Sequence, residues 1–277
     1  MEKLTIALLL LLLPLFLTAG AWPQPKFGGY FKLDHTFILA RDFYNPKGDI
    51  EPLRTLGNYS TSLYGEFGFT RRLTGIAYVP FWVRNTLNET VGNQSGNVIE
   101  PGRTNDAFGD IDLGIKYGIL VNTPVVLSAT LTLGLPTGDP DNEDGLLTGD
   151  GEFNQLLRLE AGAGLGKAWV SGGMGFNNRT NGFSDEFRFN FEIGYKLLNE
   201  RLLLIAKLDG VESFGNGNAM EGNALFSNNL EYISPQVEAA WKLNDKWGLA
   251  YRIGGAVSGQ NVLAAPSHSF GVFFELR

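Results

Sequence analysis

The chain has 277 residues, a net charge of −7, 36 glycines, 12% aromatic residues and no cysteine. Acidity argues against nucleic acid, which selects basic faces, and the lack of cysteine excludes a disulfide framework, a Cys-based metal or redox site and a lipoprotein anchor. Beyond the first twenty-one residues no apolar run approaches 18 residues, so no transmembrane helix is expected.

Residues 1–21 read as a removable signal peptide. Lys3 gives a small charged start, Leu4 to Leu17 an apolar run, and Ala19-Gly20-Ala21 the small residues that a signal peptidase reads, so cleavage is expected before Trp22. An apolar run of this length is short for a spanning helix of about 20 residues.

From Phe27 onward, strand-length stretches alternate with period 2. Ile111, Leu113, Ile115 and Tyr117 alternate with Asp110, Asp112, Gly114 and Lys116; Phe187, Phe189, Phe191 and Ile193 alternate with Glu186, Arg188, Asn190 and Glu192. The expected strands are 27–40, 58–70, 75–85, 109–120, 125–136, 153–165, 168–177, 185–198, 201–210, 229–243, 247–257 and 268–277. Most have the length a tilted strand needs to cross a bilayer.

The connections alternate long and short. Short ones fall at 71–74, 121–124, 166–167, 199–200 and 244–246; long ones at 41–57, 86–108, 137–152, 178–184, 211–228 and 258–267. A soluble sandwich, the competing all-β reading, has no reason to gather every long loop at one end. An outer-membrane barrel puts short turns in the periplasm and long loops outside, with an even strand count. The expectation is therefore a single closed antiparallel transmembrane barrel of about twelve strands over 22–277, in the bacterial outer membrane. Closure is required because an open sheet edge in lipid strands its backbone N–H and C=O groups.

Tyr117, Tyr195, Trp241 and Trp247 fall in the apolar phase close to short turns, as a periplasmic aromatic girdle would. Trp169 sits at the same level with its phase undecided. The opposite phase should line the lumen. Its charged residues are Lys32, Asp34, Glu66, Arg84, Asp110, Asp112, Lys116, Arg158, Glu160, Glu186, Arg188, Glu192, Lys196, Lys207, Asp209, Glu238, Lys242, Arg252 and Glu275. Charges of both signs are nearly balanced, which suits either a narrow polar channel or a salt-bridged interior that only stiffens the wall. Eight strands are filled by side chains and 16–18 leave an aqueous channel, so twelve lies between.

Other candidate sites are weaker. A hydrolase would need a serine and a histidine in hydrogen-bond reach, and Ser267-His268-Ser269 is the one local candidate; a solvated histidine is the preferred reading. His35 falls in the lipid-facing phase. Asp139, Asp141, Glu143 and Asp150 are spaced faintly like a calcium loop, but Asp144 stands where glycine is needed. The glycine-rich stretch 161–175 lacks a phosphate-loop Lys-Ser pair and reads as strand–turn–strand. No catalytic residue, metal or cofactor is expected.

Phe108-Gly109-Asp110-Ile111-Asp112-Leu113-Gly114-Ile115-Lys116-Tyr117 and Leu133-Gly134-Leu135-Pro136-Thr137-Gly138-Asp139, with the turn Leu243-Asn244-Asp245-Lys246-Trp247-Gly248-Leu249, resemble the outer-membrane transporter family of the MetA-pathway of phenol degradation. The likeness in organisation spans roughly 59–277. It implies passage of small compounds, hydrophobic or aromatic ones among them, and no binding residues to carry over. The expected partners are outer-membrane lipids and lipopolysaccharide, the barrel-assembly machinery and a small-molecule solute. A non-conducting structural or surface-interaction barrel is the alternative. The C-terminus departs from the barrel norm: Arg277 stands where assembly usually reads an aromatic residue.

Overall fold

The computed structural model describes residues 20–92, 94–218 and 226–277. Apart from Gly20 and Ala21, the expected signal peptide lies outside the described residues. Twelve long strands follow in chain order: β1 Gly29–Tyr44, β2 Ile50–Gly68, β3 Leu73–Leu87, β4 Ile111–Leu120, β5 Val125–Leu135 and β6 Asn154–Leu165. The second half comprises β7 Ala168–Asn178, β8 Glu186–Leu197, β9 Leu202–Ser213, β10 Glu231–Lys242, β11 Trp247–Gly254 and β12 Ser267–Leu276. Each pairs antiparallel with the next, and β12 pairs with β1 from Gly29↔Leu276 to Ile38↔Ser267. The sheet closes on itself, so no strand of the wall is left with an unpaired edge, which lipid would not tolerate.

Side-chain phase decides the two surfaces of the wall. Leu33, Leu63, Leu113, Ile115, Leu131, Leu157, Leu159, Phe191, Ile193, Val237, Leu249 and Phe270 are exposed on the outer face. Their strand neighbours Lys32, Asp34, Glu66, Lys116, Glu160, Glu192, Lys196 and Glu238 are buried on the inner face. Such a molecule is inside out relative to a soluble protein. An exposed apolar belt of this extent is suited to lipid, where a Lys or Arg at mid-depth would cost about 2–4 kcal/mol.

Two expectations need correction. The first concerns the loop expected at 41–57. β1 and β2 instead run on to Tyr44 and Ile50, joined by a tight turn in which the Asn45 side chain accepts from the Lys47 and Asp49 N–H groups. Polar residues in 41–57 weakened the alternation there, but backbone pairing with a neighbour already in place continued it. Similarly, 86–108 is partly ordered: Thr90–Val91 pairs with Val98–Glu100, and Arg103–Ala107 pairs with β3.

The second concerns Arg84. In the β2–β3 pair, Leu63 faces Val79 but Thr61 faces Trp82, so β3 carries one extra residue around Pro80-Phe81. A bulge of one residue moves all that follows to the other face. Above it Val83 and Asn85 are buried and Arg84 is exposed, so Arg84 does not line the lumen. It pairs outside with Asp106 at 2.7 Å and stands 5.5 Å from the Trp82 ring.

Candidate functional site: the barrel lumen

The other sequence-expected lumen residues face inward and sort into levels. Near the periplasmic end the inner wall carries an apolar cluster among its charges, which the charge pattern did not suggest. Trp169, Leu203, Ile205, Ala240, Ala250 and Phe273 form a buried cluster, with Trp22 and Tyr30 packed against it. They occupy the same phase as the charges, so the lumen has a hydrophobic floor. Trp169 belongs to this floor and not to the girdle. Its indole N–H donates to Glu192 at 2.7 Å, and its ring lies where a Cβ on Gly194 would stand.

The segment before β1 packs into this end. Gln24 is buried; its N–H donates to the Thr74 hydroxyl and its side-chain amide to Glu66, both at 2.8 Å. Trp22 covers Gly162, where no side chain intervenes. Phe27 N–H donates to the Gly68 carbonyl and fixes where the segment leaves the wall. Between this segment and the β4–β5 turn lies a cavity of about 490 Å³ lined by Trp22, Pro25, Arg71, Asn122 and Val126.

On both sides of the floor the charges pair. Lys116 meets Glu66 at 3.7 Å, Lys32 meets Asp34 at 3.1 Å and Lys242 meets Glu275 at 2.8 Å. Lys207 bridges Glu238 and Glu192 at 3.1 and 3.7 Å, and Lys196 reaches Glu200 at 3.7 Å. Taking unpaired ions out of water costs several kcal/mol each, so such pairing is what makes these positions tolerable. Higher still, Arg158, Arg188 and Arg252 are each about one-third exposed to the lumen, near Asp112 and Asp209.

The extracellular mouth is narrowed by loops. Residues 136–153 fold across the inner face of β3: Asn85 donates to the Leu147 carbonyl at 2.5 Å, and Asp110 accepts from the N–H groups of Gly138 and Asp150. A latch then ties this loop to the next. Arg179, 6% exposed, contacts Glu186 at 2.8 Å, Asp150 at 2.9 Å and Glu152. Its guanidinium also covers the Phe183 ring at 4.4 Å. Burial pushes the Glu152 carboxyl up to about 7, with Arg179 opposing that rise, and burial raises Asp150 as well. Sequence reading missed this hub because its members lie in two loops and at the top of β8. The Asp150-Gly-Glu152 pair, with an arginine alone in a polar loop, was the available signal. Asp150 is spent on Arg179, and Asp139 accepts from Asp141 N–H and Asn105, so the faint calcium spacing is not assembled. Beside the 226–230 segment, a cavity of about 330 Å³ is lined by Ile38, Leu230, Tyr232, Gln236, Val262 and Leu263.

On the outer face, Tyr117, Tyr195, Trp241 and Trp247 are all 41–50% exposed, beside short turns. Both histidines face out. His35 is hydrogen-bonded to the Thr61 hydroxyl, and His268 to the Tyr251 hydroxyl, each at 2.9 Å. Ser269 points inward, its hydroxyl donating to Asp34, and Ser267 donates to the Gly254 carbonyl. Alternation therefore sets the His268 ring and its flanking Ser269 on opposite sides of the wall, and no serine–histidine pair forms there.

No protein-family profile matches the chain, and no curated protein matches it. Solved structures do. The COG4313 outer membrane channel from Pseudomonas putida F1 superposes with a TM-score of 0.66 at 15% identity, covering 94% of this chain and 99% of that one. The KdgM porin, solved in complex with disordered oligogalacturonate, gives 0.51 at 10% identity over 89% and 99%. The translocator domain of the autotransporter NalP from Neisseria meningitidis gives 0.50 at 11% over 90% and 88%. With its closed twelve-strand wall and apolar outer belt, the chain has the fold of the bacterial outer-membrane barrels, channels and porins among them.

Proposed function

We propose that the chain is a narrow outer-membrane channel for small molecules, shut at rest by its own N-terminal segment. The observation that carries this is the make-up of the lumen. A barrel built only for rigidity would pack its interior throughout. Here the packing is incomplete: between the periplasmic floor and the loop-packed mouth, three arginines remain about one-third exposed on the inner wall. The closing element, Trp22 to Gln24, belongs to no strand and makes few hydrogen bonds to the wall. The 330 Å³ cavity, with Ile38, Leu230, Val262 and Leu263 beside Asn58, Ser234 and Gln236, suits a small amphipathic or aromatic solute, in keeping with the phenol-degradation transporter resemblance. Lipids, lipopolysaccharide and the assembly machinery are the partners this reading requires. The dense ion pairs favour one alternative, a non-conducting structural barrel.

Planar-bilayer conductance and liposome swelling with graded neutral, anionic and aromatic solutes separate the two. Swelling with at least one small solute is expected. A wall that passes no ion and no solute would sink the channel reading.

A further inference from the structure

Register places two arginines in one row. Gly175 on β7 faces Arg158 on β6 and Arg188 on β8, and all three point inward. Facing positions on alternate strands stand about 10 Å apart, two interstrand spacings. The residue between them has no side chain, so only the tip of Leu156 stands over the wall between the two arginines. The row continues from Arg188 through Val211 to Tyr232, which lines the 330 Å³ cavity.

These arginines differ from the other lumen cations in how they are used. Lys32, Lys116, Lys207 and Lys242 each hold a carboxylate. Among the described residues the Arg158 side chain makes no hydrogen bond: its ion pair there, to Glu160, spans 3.9 Å, and its buried Nε has no acceptor. Glu160 is instead taken by the Thr130 hydroxyl at 2.7 Å. Arg252 likewise has only a 3.8 Å approach to Asp34. Arg188 spends Nε and one Nη on Glu186 and retains its remaining donors. A buried guanidinium N–H without a partner is costly, and a planar fork with free donors matches a carboxylate.

We propose that Arg158 and Arg188 bind the carboxylate of a small amphipathic monocarboxylate, whose apolar body occupies the cavity bordered by Ile38, Leu230, Val262 and Leu263. Asp112, Asp209 and Glu186 face the same space. With Arg252 beside Asp209, three arginines stand against three carboxyls, so the space is neutral overall; the free donors of Arg158 and Arg188 can meet one added negative charge, and a dianion brings one more than they can meet. This site rests on the channel reading only for the ligand's route, not for its binding.

Titration calorimetry on the purified barrel in non-ionic detergent tests it. The probes are benzoate, with benzyl alcohol as neutral, phthalate as dianionic and benzylamine as cationic analogues. Benzoate is expected to bind most tightly. Arg158→Gln and Arg188→Gln should each weaken it about tenfold or more, the loss expected for one charge-assisted pair, and leave benzyl alcohol unchanged; Arg158→Lys should recover part of the loss. Circular dichroism and heat-modified gel mobility identify any variant that has not folded, and for such a variant the lysine substitution supplies the comparison. Benzoate binding no tighter than benzyl alcohol, or equally tight in folded arginine variants, would overturn the site. Liposomes report separately: arginine-dependent binding without any solute flux ends the channel reading and leaves the site standing, while flux indifferent to charge and to both arginines does the reverse.

Discussion

The two ends of the lumen are closed by different chemistry. The periplasmic end is closed by apolar packing of Trp22 on a floor of Trp169, Leu203, Ile205 and Phe273. The extracellular end is narrowed by backbone held through charge, with Arg179 clasping two carboxylates of loop 136–153 and Glu186 at the top of β8. Apolar contact is non-directional and its strength scales with area, so the floor can release a segment and take it back without leaving a charge bare. A buried ion cluster behaves otherwise: removal of one partner strands the rest. The periplasmic closure is thus suited to opening, and the extracellular one to holding a loop in place.

The largest effect should come from breaking the apolar closure. The double variant Trp22→Ala with Gln24→Ala removes the indole over Gly162 and the donor to Glu66. Single-channel conductance should rise several-fold while the wall, whose ladder it does not touch, keeps its thermal stability. A conductance equal to the parent would place the restriction elsewhere, at the 136–153 loop. Next in size is Arg179→Gln. It leaves Glu152, Asp150 and Glu186 buried without their shared cation, a loss of about 3–5 kcal/mol by analogy with other buried pairs. Because the cluster ties loop 136–153 to the top of β8 and supplies no ladder hydrogen bond, the loss should show as protease cutting within 136–153, with the barrel itself intact on the same gel.

The contrast also explains how far the sequence could be read. Strands and phase follow from period-2 alternation, a local property that sets Lys32, Asp112, Arg158, Glu192 and Arg252 opposite the apolar face, while closure follows from the long–short loop rhythm and the cost of an open edge in lipid. Arg84 escapes that phase: Pro80, which cannot donate to the ladder, marks an irregularity, but only the pairing of Thr61 with Trp82 shows that it adds one residue. The floor was missed for another reason. Leu203, Ile205 and Phe273 sit in the inner phase of strands apolar on both faces, so alternation is silent there. Whether an inner position is filled or open depends on what reaches it from across the barrel, and Trp22 comes from outside the strand pattern altogether.

A pH scan sharpens the comparison with a smaller effect. Around Arg179 and Arg188 stand three carboxyls, Asp150, Glu152 and Glu186, so full ionisation leaves one negative charge in excess. Burial raises Glu152 from 4.5 to about 7 and raises Asp150 in the same direction. A carboxyl whose folded pKa is raised holds its proton in the folded loop after the unfolded chain has released it. Its contribution is complete below the ordinary carboxyl range and is lost as pH climbs towards 7 and beyond. Loop 136–153 should therefore be better protected from proteolysis at pH 5 than at pH 8, by on the order of 2 kcal/mol. Glu152→Gln, neutral at both, should flatten the difference. Protection that instead increases with pH would mean that the ion pair to Arg179 outweighs burial.

The smallest effect belongs to the outer wall, which both closures leave untouched. Trp247 stacks against Phe274 with ring centroids 4.8 Å apart and is 48% exposed beside the β10–β11 turn. Trp247→Ala removes that aromatic pair, worth about 0.5–1.5 kcal/mol, and one anchor at the level where indoles favour the membrane interface. Conductance and loop protection should stay at parent values, since no lumen residue moves. Denaturant stability in lipid vesicles should fall slightly, and by less in detergent micelles, which lack a defined interface. Equal losses in both media would reduce Trp247 to a packing residue and remove the girdle role from the one position where an aromatic contact supports it.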